Sequence, residues 1–282
     1  MTVGACYREL RRALMPIAGD AAAYEAKEIL NALLHFSKAE LPMIPFSREE
    51  ISSETEKEMK KILARREMHE PLEYILGVAP FYGYRFFVSS DCLIPQADTE
   101  IVCEKLISHL KKGMRFADIC TGSGCIALAA LAETKETSAI GYDISDGALA
   151  IAERNAKEMG LSSRFCSEKA DVFSADFLSD AGEFDLIVSN PPYIETAVIE
   201  TLAPEVQKEP HIALDGGADG LLFYRRLLEV CPAHLKKDGI LLFEIGYDQK
   251  EALHALCETH GLRHECYRDF GGNDRVFAIY VS

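Results

Sequence analysis

Residues 184–193 have the sequence FDLIVSNPPY. The first six are mostly apolar and predict a buried strand that ends at Asn190. Two consecutive prolines fix φ and donate no backbone N–H, so the carbonyls of Asn190 and Pro191 remain available as acceptors. The amide oxygen of Asn190 is a third acceptor, and Tyr193 adds a flat aromatic face. Open α/β sheets bind ligands at the carboxyl ends of their strands, so this turn is a candidate ligand site.

Hydrogen-bond acceptors beside an aromatic wall suit a planar –NH2 group, such as a carboxamide or the exocyclic amine of a base. The turn therefore favours methyl transfer to that nitrogen. The alternative is an ordinary turn at a strand end that happens to contain two prolines.

Strand and helix patterns alternate from Met114 onward, which predicts a parallel sheet with helices on both faces. The predicted strands are 116–120, 138–143, 164–170, a fourth ending at 190, and 240–245. The predicted helices are 125–132, 147–159, 221–235 and 249–259. Two late strands, 263–268 and 276–281, lack a helical crossover and predict an antiparallel hairpin. Five parallel strands and a terminal hairpin are the pattern of a class I, Rossmann-like methyltransferase sheet.

The part of the chain before this α/β pattern has a different character. Residues 1–78 show apolar residues at helical spacing and predict a small helical bundle. Within it, Ser47 followed by Glu50 is a candidate capping box that predicts a helix start. The aromatic, glycine-punctuated residues 79–95 predict a β-hairpin that links the bundle to a domain spanning residues 96–282.

A glycine-rich turn, Asp118–Gly124, joins the first predicted strand to its helix. Gly122 and Gly124 let the backbone approach a ligand, but the pyrophosphate fingerprint is incomplete because Ala127 replaces its third glycine. Asp143 ends the second strand, where a carboxylate accepts hydrogen bonds from ribose hydroxyls. Asp171-Val172-Phe173 ends the third and would lie beside an adenine. These features fit NAD, FAD or S-adenosylmethionine equally well, and the absence of a titrating group in residues 190–193 favours S-adenosylmethionine.

Composition restricts the partners. The net charge is −15, from 45 acidic and 30 basic residues, which argues against strong binding to nucleic acid and leaves a protein partner open. Nine cysteines without a CxxC pair indicate reduced thiols and a cytoplasmic protein. No apolar stretch has the length of a membrane span, and no signal peptide is expected. We expect no metal site, because Gly261 interrupts the one zinc-like cluster, Cys257, His260, His264 and Cys266.

These motifs together resemble the HemK/PrmC family of protein-glutamine N5-methyltransferases, which act on class-1 peptide chain release factors. The resemblance runs from about Pro71 to the C-terminus, whereas residues 1–70 match the helical substrate-recognition domain of the family by type only. The segments that carry it are residues 71–77, 94–100, 118–124, 189–194, 213–217, 243–246 and 271–275.

The resemblance implies roles for particular residues. Asn190, Pro191, Pro192 and Tyr193 would bind the substrate: Asn190 and the Pro191 carbonyl would hold the glutamine amide, and Tyr193 would pack against it. The residues implied for S-adenosylmethionine are Asp118, Cys120, Thr121, Gly122, Ser123, Gly124, Asp143, Asp171, Val172, Phe173 and Asn190.

Three departures from the family pattern stand out: Ile119-Cys120 replaces Leu-Gly, Gln96-Ala97 replaces Arg-Pro, and Val172 replaces an aromatic residue. Cys120 therefore places a side chain where the loop would pass the cofactor. The alternatives left open are a ribosomal-protein glutamine, a nucleic-acid base and a non-catalytic cofactor-binding module. The long loop 195–220 is either a lid over the glutamine or an inert excursion.

Overall fold

The computed structural model describes residues 1–281, which divide into two compact units. The first unit comprises Met1–Gly77 together with Ala203–Lys208. The second comprises Val78–Leu202 and the chain from Glu209 onward. Within residues 1–281, no helix combines the length and apolar character that a membrane crossing needs.

The first unit is helical. Its interior is made of apolar residues at helical spacing, among them Leu10, Leu14 and Leu30, all fully buried. Each helix contributes one apolar face to this core, which is how amphipathic helices gain most of their stability. The helices are α1 (Val3–Ala18), α2 (Ala22–Leu34), α3 (Ser53–Glu67) and α4 (Leu72–Leu76).

Helix α3 begins later than its sequence predicts. Its N-cap is Ser52, whose hydroxyl accepts a hydrogen bond from the backbone N–H of Thr55 at 3.0 Å. The predicted start at Ser47 is wrong because the backbone there is engaged elsewhere. The N–H of Val3 donates to the carbonyl of Glu49 at 2.8 Å, and the N–H of Gly4 donates to that of Ser47 at 3.1 Å. These bonds hold the segment extended.

The second unit contains a seven-stranded sheet in the order β5-β4-β3-β6-β7-β9-β8. Strands β3 to β7 are parallel, whereas β9 runs antiparallel to both β7 and β8. The predicted class I methyltransferase fold is thereby confirmed. The strands are β3 (Arg115–Ile119), β4 (Ser138–Asp143), β5 (Phe165–Lys169), β6 (Phe184–Ser189), β7 (Leu235–Glu244), β8 (Arg263–Arg268) and β9 (Asp274–Tyr280).

Helices cover both faces of this sheet. The helices of the second unit are α5 (Glu100–His109), α6 (Cys125–Glu133), α7 (Asp146–Glu158), α8 (Thr196–Ile199), α9 (His211–Leu214), α10 (Leu222–Val230) and α11 (Lys250–Thr259), of which α8 and α9 lie in the loop 195–220. Helix α10 ends at Val230, before the predicted 235, and a 3₁₀ turn, Cys231–His234, follows. Pro232 cannot donate the backbone hydrogen bond that would continue the helix.

A hairpin of β1 (Val78–Phe81) and β2 (Tyr84–Phe87) begins the second unit. Its Phe81 and Phe86 side chains are buried in the core of that unit. The Asn155 side chain of α7 also accepts from the N–H of Phe87 at 2.7 Å and donates to its carbonyl at 3.0 Å.

The first strand of the sheet, β3, lies between β4 and β6, and Ile119 is paired with both Tyr142 and Ser189. The chain leaves β3 toward one side and returns later on the other. Such a reversal opens a crevice at the carboxyl ends of the strands, where α/β proteins bind ligands. Residues 190–193, here called the NPPY turn, follow β6 and lie at this crevice.

Candidate active site

A cavity of about 310 Å³ lies at this crevice. Its volume is at the lower end of the range of small-molecule sites. The cavity brings together ten of the residues singled out from the sequence: Cys120, Thr121, Gly122, Ser123, Asp143, Asp171, Val172, Phe173, Asn190 and Pro192. Four others, Asp118, Gly124, Pro191 and Tyr193, do not line it.

Asp118 and Gly124 support the glycine-rich loop through contacts outside the cavity. The carboxylate of Asp118 is 1% exposed and accepts a hydrogen bond from the Thr121 hydroxyl at 2.7 Å. Burial raises the pKa of Asp118 to about 7. A Cβ on Gly124 would lie 3.2 Å from that of Ala152, so this glycine permits close packing of the loop on α7.

The loop itself turns through the left-handed region. Gly122 has φ +55°, and a Cβ added there would meet no atom within 4 Å, so the backbone faces open space. Cys120 also has a positive φ, of 60°, which is strained for a residue with a side chain. The family glycine at this position would relieve that strain. Burial raises the pKa of the Cys120 thiol, so the side chain remains protonated at neutral pH.

Asp143 at the end of β4 holds the loop and faces the cavity. Its carboxylate accepts from the N–H of Gly122 at 2.9 Å and from the N–H of Ser145 at 3.0 Å. Ser145 caps α7 by accepting from the N–H of Ala148 at 3.2 Å, so Asp143 is not needed as the cap. Each carboxylate oxygen keeps a further lone pair for a ligand hydroxyl. Burial raises the pKa of Asp143, and the backbone N–H groups oppose that rise.

The turn after β5 forms another wall. The guanidinium of Arg226 donates to the carbonyls of Val172 at 2.9 Å and Ser174 at 2.8 Å. Phe173 packs edge-on against Phe223, with ring centroids 5.0 Å apart. Neither Arg226 nor Phe223 could be assigned from the sequence, because both come from α10, far along the chain from the turn that they support.

The NPPY turn has two partners that the sequence did not reveal. The Asn190 side-chain nitrogen donates to the hydroxyl of Thr99 at 3.4 Å. The Tyr193 hydroxyl donates to the Glu244 carboxylate, also at 3.4 Å. Both partners are buried, at 2% exposure. In the sequence, only one observation pointed to Thr99 and Glu244: they lie in segments 94–100 and 243–246, which carry the family resemblance.

The loop 195–220 is folded against the turn. The N–H of Ile194 donates to the carbonyl of Leu214 at 3.0 Å, and the N–H of Gly216 donates back to Ile194 at 2.8 Å. A Cβ on Gly216 would lie only 2.7 Å from the Cα of Tyr193, so the close approach requires glycine. Gln96, one of the departures from the family pattern, also lines the cavity. Further wall residues that were not assigned to the site from the sequence include Ile94, Thr99, Pro210, Ile212 and Ala213.

The histidines near Gly261 are arranged differently from the zinc-like cluster considered in the sequence. Among residues 1–281, the one group with ligand-like spacing is His254, Glu258 and His264, whose ligand atoms lie within 4.8 Å of one another. The Nδ1 of His264 faces the Leu262 carbonyl at 2.9 Å, so its Nε2 accepts from the Nδ1 of His254 at 2.6 Å. A hydrogen bond between two imidazoles accounts for this contact, and the group shares no residue with the cavity.

Comparisons with known proteins agree with this architecture. The methyltransferase small domain family matches residues 95–260, and the PrmC N-terminal domain family matches residues 6–77. Among solved structures, a methyltransferase from Pyrococcus furiosus shares the fold. It has a TM-score of 0.53 at 16% identity, over 82% of this chain and 100% of the other.

Curated relatives are more similar in sequence. The release factor glutamine methyltransferase of Geobacter sulfurreducens is 38% identical over 82% of this chain and 79% of its own length. That of Agrobacterium fabrum is 36% identical over 90% of this chain and 89% of its own length. With this identity extending over most of both sequences, the chain belongs to the release factor glutamine methyltransferase family.

Proposed function

We propose that this protein transfers a methyl group from S-adenosylmethionine to the side-chain amide nitrogen (N5) of the glutamine in the Gly-Gly-Gln motif of class-1 release factors. The observation that carries the proposal is that Asn190 and Pro192 share one cavity with the glycine-rich loop and Asp143. The side-chain amide of Asn190, an acceptor for an –NH2 group, therefore lies beside a cradle for a nucleoside. Membership of the family supports the choice of substrate.

The cavity residues fit the cofactor. The open space beside Gly122 admits a ligand against the loop backbone, and the free lone pairs of Asp143 suit ribose hydroxyls. The ring of Phe173 offers a flat surface for adenine, with Asp171 near its amine. When bound, S-adenosylmethionine supplies an electrophilic methyl group on its sulfonium.

The protein's contribution to the chemistry is positioning. An amide nitrogen is a poor nucleophile because its lone pair is delocalised. The Asn190 amide oxygen and the Pro191 carbonyl would accept its two N–H groups and aim the nitrogen for in-line transfer. The same acceptors, with the Tyr193 ring, would stabilise the positive charge that develops on nitrogen. The proton then leaves to solvent.

Two further parts of the chain have proposed roles. The helical residues 1–78 would recognise the substrate protein. The loop 195–220 would cover the bound glutamine, which is supported by the place of Pro210, Ile212 and Ala213 in the cavity wall. All nine cysteines are free thiols, as a cytoplasmic location would require.

The test is mass spectrometry of a release factor incubated with the protein and S-adenosylmethionine. We expect one added methyl group on the Gly-Gly-Gln glutamine, and no addition to a release factor that carries alanine there. A methyl group on a ribosomal protein or on RNA, with none on the release factor, would move the function to the alternative substrates.

A further inference from the structure

A buried acidic side chain lies directly behind the NPPY turn. Glu244 is the last residue of β7, and its neighbour Phe243 pairs with Ser189, the last residue of β6. Glu244 is therefore level with Asn190 on the adjacent strand. It is 2% exposed and lies outside the lining of the cavity, so we assign it a role through its neighbours and not through contact with a ligand.

The surroundings of Glu244 compensate its charge only in part. Its Oε1 accepts from the Tyr193 hydroxyl, but its Oε2 is buried without a hydrogen-bond partner. Arg275 is the nearby cation, yet its guanidinium forms ion pairs with Asp98 at 3.0 Å and Asp269 at 3.4 Å. An ionised carboxylate in these surroundings lowers the stability of the fold, because the hydrogen bonds that it made with water are only partly replaced by hydrogen bonds within the protein.

The pKa of Glu244 reflects the same balance. Burial raises it to about 7, whereas the Thr99 hydroxyl, the charge of Arg275 and the Tyr193 hydroxyl lower it, and Asp98 raises it. Tyr224 donates its hydroxyl to the backbone carbonyl of Glu244 at 2.8 Å and not to the carboxylate. The side chain can therefore change charge close to neutral pH.

Thr99 connects this carboxylate to the candidate site. Its hydroxyl accepts from the Asn190 side-chain nitrogen at 3.4 Å, so its own proton is free to point toward Glu244. The direction matters, because a carboxamide can offer either oxygen or nitrogen to the cavity. With the nitrogen bound to Thr99, the oxygen of Asn190 is left to accept from an incoming –NH2 group. If the amide were flipped, its NH2 group would face the –NH2 group of the substrate, and two donors cannot form a hydrogen bond with each other.

We propose that ionised Glu244 is a positioning residue, which orients the hydroxyls of Thr99 and Tyr193 and thereby keeps the Asn190 amide oxygen turned toward the substrate nitrogen. The proposal rests on the proposed function of this site. Protonated Glu244 would itself donate to one of these hydroxyls, reverse the direction of the hydrogen bonds and release the amide.

The first test needs no substrate. In ¹⁵N-labelled protein, the side-chain NH2 resonances of Asn190 are identified by their loss in N190D and followed as the pH is varied. We expect them to shift with a midpoint near 7 in the unaltered protein, matching the titration of Glu244, and to stay constant in E244Q. If E244Q fails to fold, T99V replaces it, since loss of the hydroxyl should uncouple Asn190 in the same way. Absence of a shift, or the same shift in E244Q or T99V, would overturn the proposal.

The second test measures turnover of the release factor. E244Q should lower kcat about 10- to 100-fold, as expected for a displaced substrate-orienting group, while the Kd for S-adenosylmethionine changes less than about twofold. In the unaltered protein, kcat should fall as the pH drops below about 7 and Glu244 becomes protonated, and this fall should be absent in E244Q. A parallel loss of kcat, cofactor affinity and thermal stability would mean a structural role only. If the unaltered protein leaves release factor unmethylated, the proposed function fails, and the resonance titration still decides the role of Glu244.

Discussion

The side-chain nitrogen of Asn190 donates a hydrogen bond to the hydroxyl of Thr99, 91 residues earlier in the chain, at 3.4 Å. This contact fixes which end of the amide faces the cavity. We therefore expect T99V to lower kcat about tenfold, the cost of one lost positioning hydrogen bond. T99S keeps the hydroxyl and should retain most of the activity. Steady-state kinetics on the release factor provide the comparison, and equal rates for the two variants would contradict the prediction.

Replacement of Asn190 itself should have a larger effect. N190A removes the acceptor that the proposed function assigns to the reacting nitrogen, and we expect kcat to fall about 100- to 1000-fold, as when one oxyanion-hole donor is removed. Affinity for S-adenosylmethionine, measured by calorimetry, should change much less. An equal loss of kcat and cofactor affinity would show that Asn190 serves binding alone.

The strained Cys120 allows a test of stability. Both C120A and C120G remove the sulfur, but only glycine relieves the positive φ of 60°. The left-handed conformation costs a residue with Cβ about 1–2 kcal/mol, and the flexibility of unfolded glycine offsets about 0.5–1 kcal/mol. We expect C120G to have a free energy of unfolding roughly 0.5–1 kcal/mol above that of C120A in urea titrations. A lower value for C120G would contradict the strain argument.

Asp118 should make stability depend on pH. Its pKa rises from 3.8 to about 7 on folding, so the folded protein holds this proton more tightly than the unfolded chain. The resulting stabilisation is complete below the unfolded pKa and is lost as pH rises to the folded value. In the unaltered protein, the free energy of unfolding should therefore decline between about pH 4 and pH 7. In D118N this decline should be smaller by roughly 2–4 kcal/mol. The exposed D180N is the control, and an unchanged slope in D118N would refute the assignment.

The first unit contains a buried ion pair suited to a matched comparison. Arg66 donates to both carboxylate oxygens of Glu25, at 2.9 and 3.0 Å, with side-chain exposures of only 5% and 11%. R66A leaves that carboxylate buried without its cation and should destabilise the unit by about 3–5 kcal/mol. The neighbouring pair of Arg65 and Glu70 is more exposed, so R65A should cost less than about 1 kcal/mol. Hydrogen exchange of the α2 and α3 amides reports on both, and similar losses of protection would contradict the prediction.

Sequence reasoning succeeded where the signal is local. The alternation of strands and helices predicted the sheet, and the prolines and glycines located the two loops of the cavity. It failed where distant backbone groups decide the outcome, as at Ser47, whose carbonyl is taken by Gly4 at 3.1 Å. Thr99 and Glu244 were missed for the same reason. Their roles depend on burial and on contacts between elements, and neither is encoded by residue spacing.

Arg226 has a consequence for the energetics of ligand binding. Its two hydrogen bonds to the carbonyls of Val172 and Ser174 hold the turn beyond β5 in place before any ligand arrives. A ligand that enters the cavity therefore does not have to immobilise this wall, and it avoids an entropic cost of about 0.5–1.5 kcal/mol for each side chain that would otherwise be ordered. Arg226 does not line the cavity, so we expect it to favour binding only through the turn that it holds.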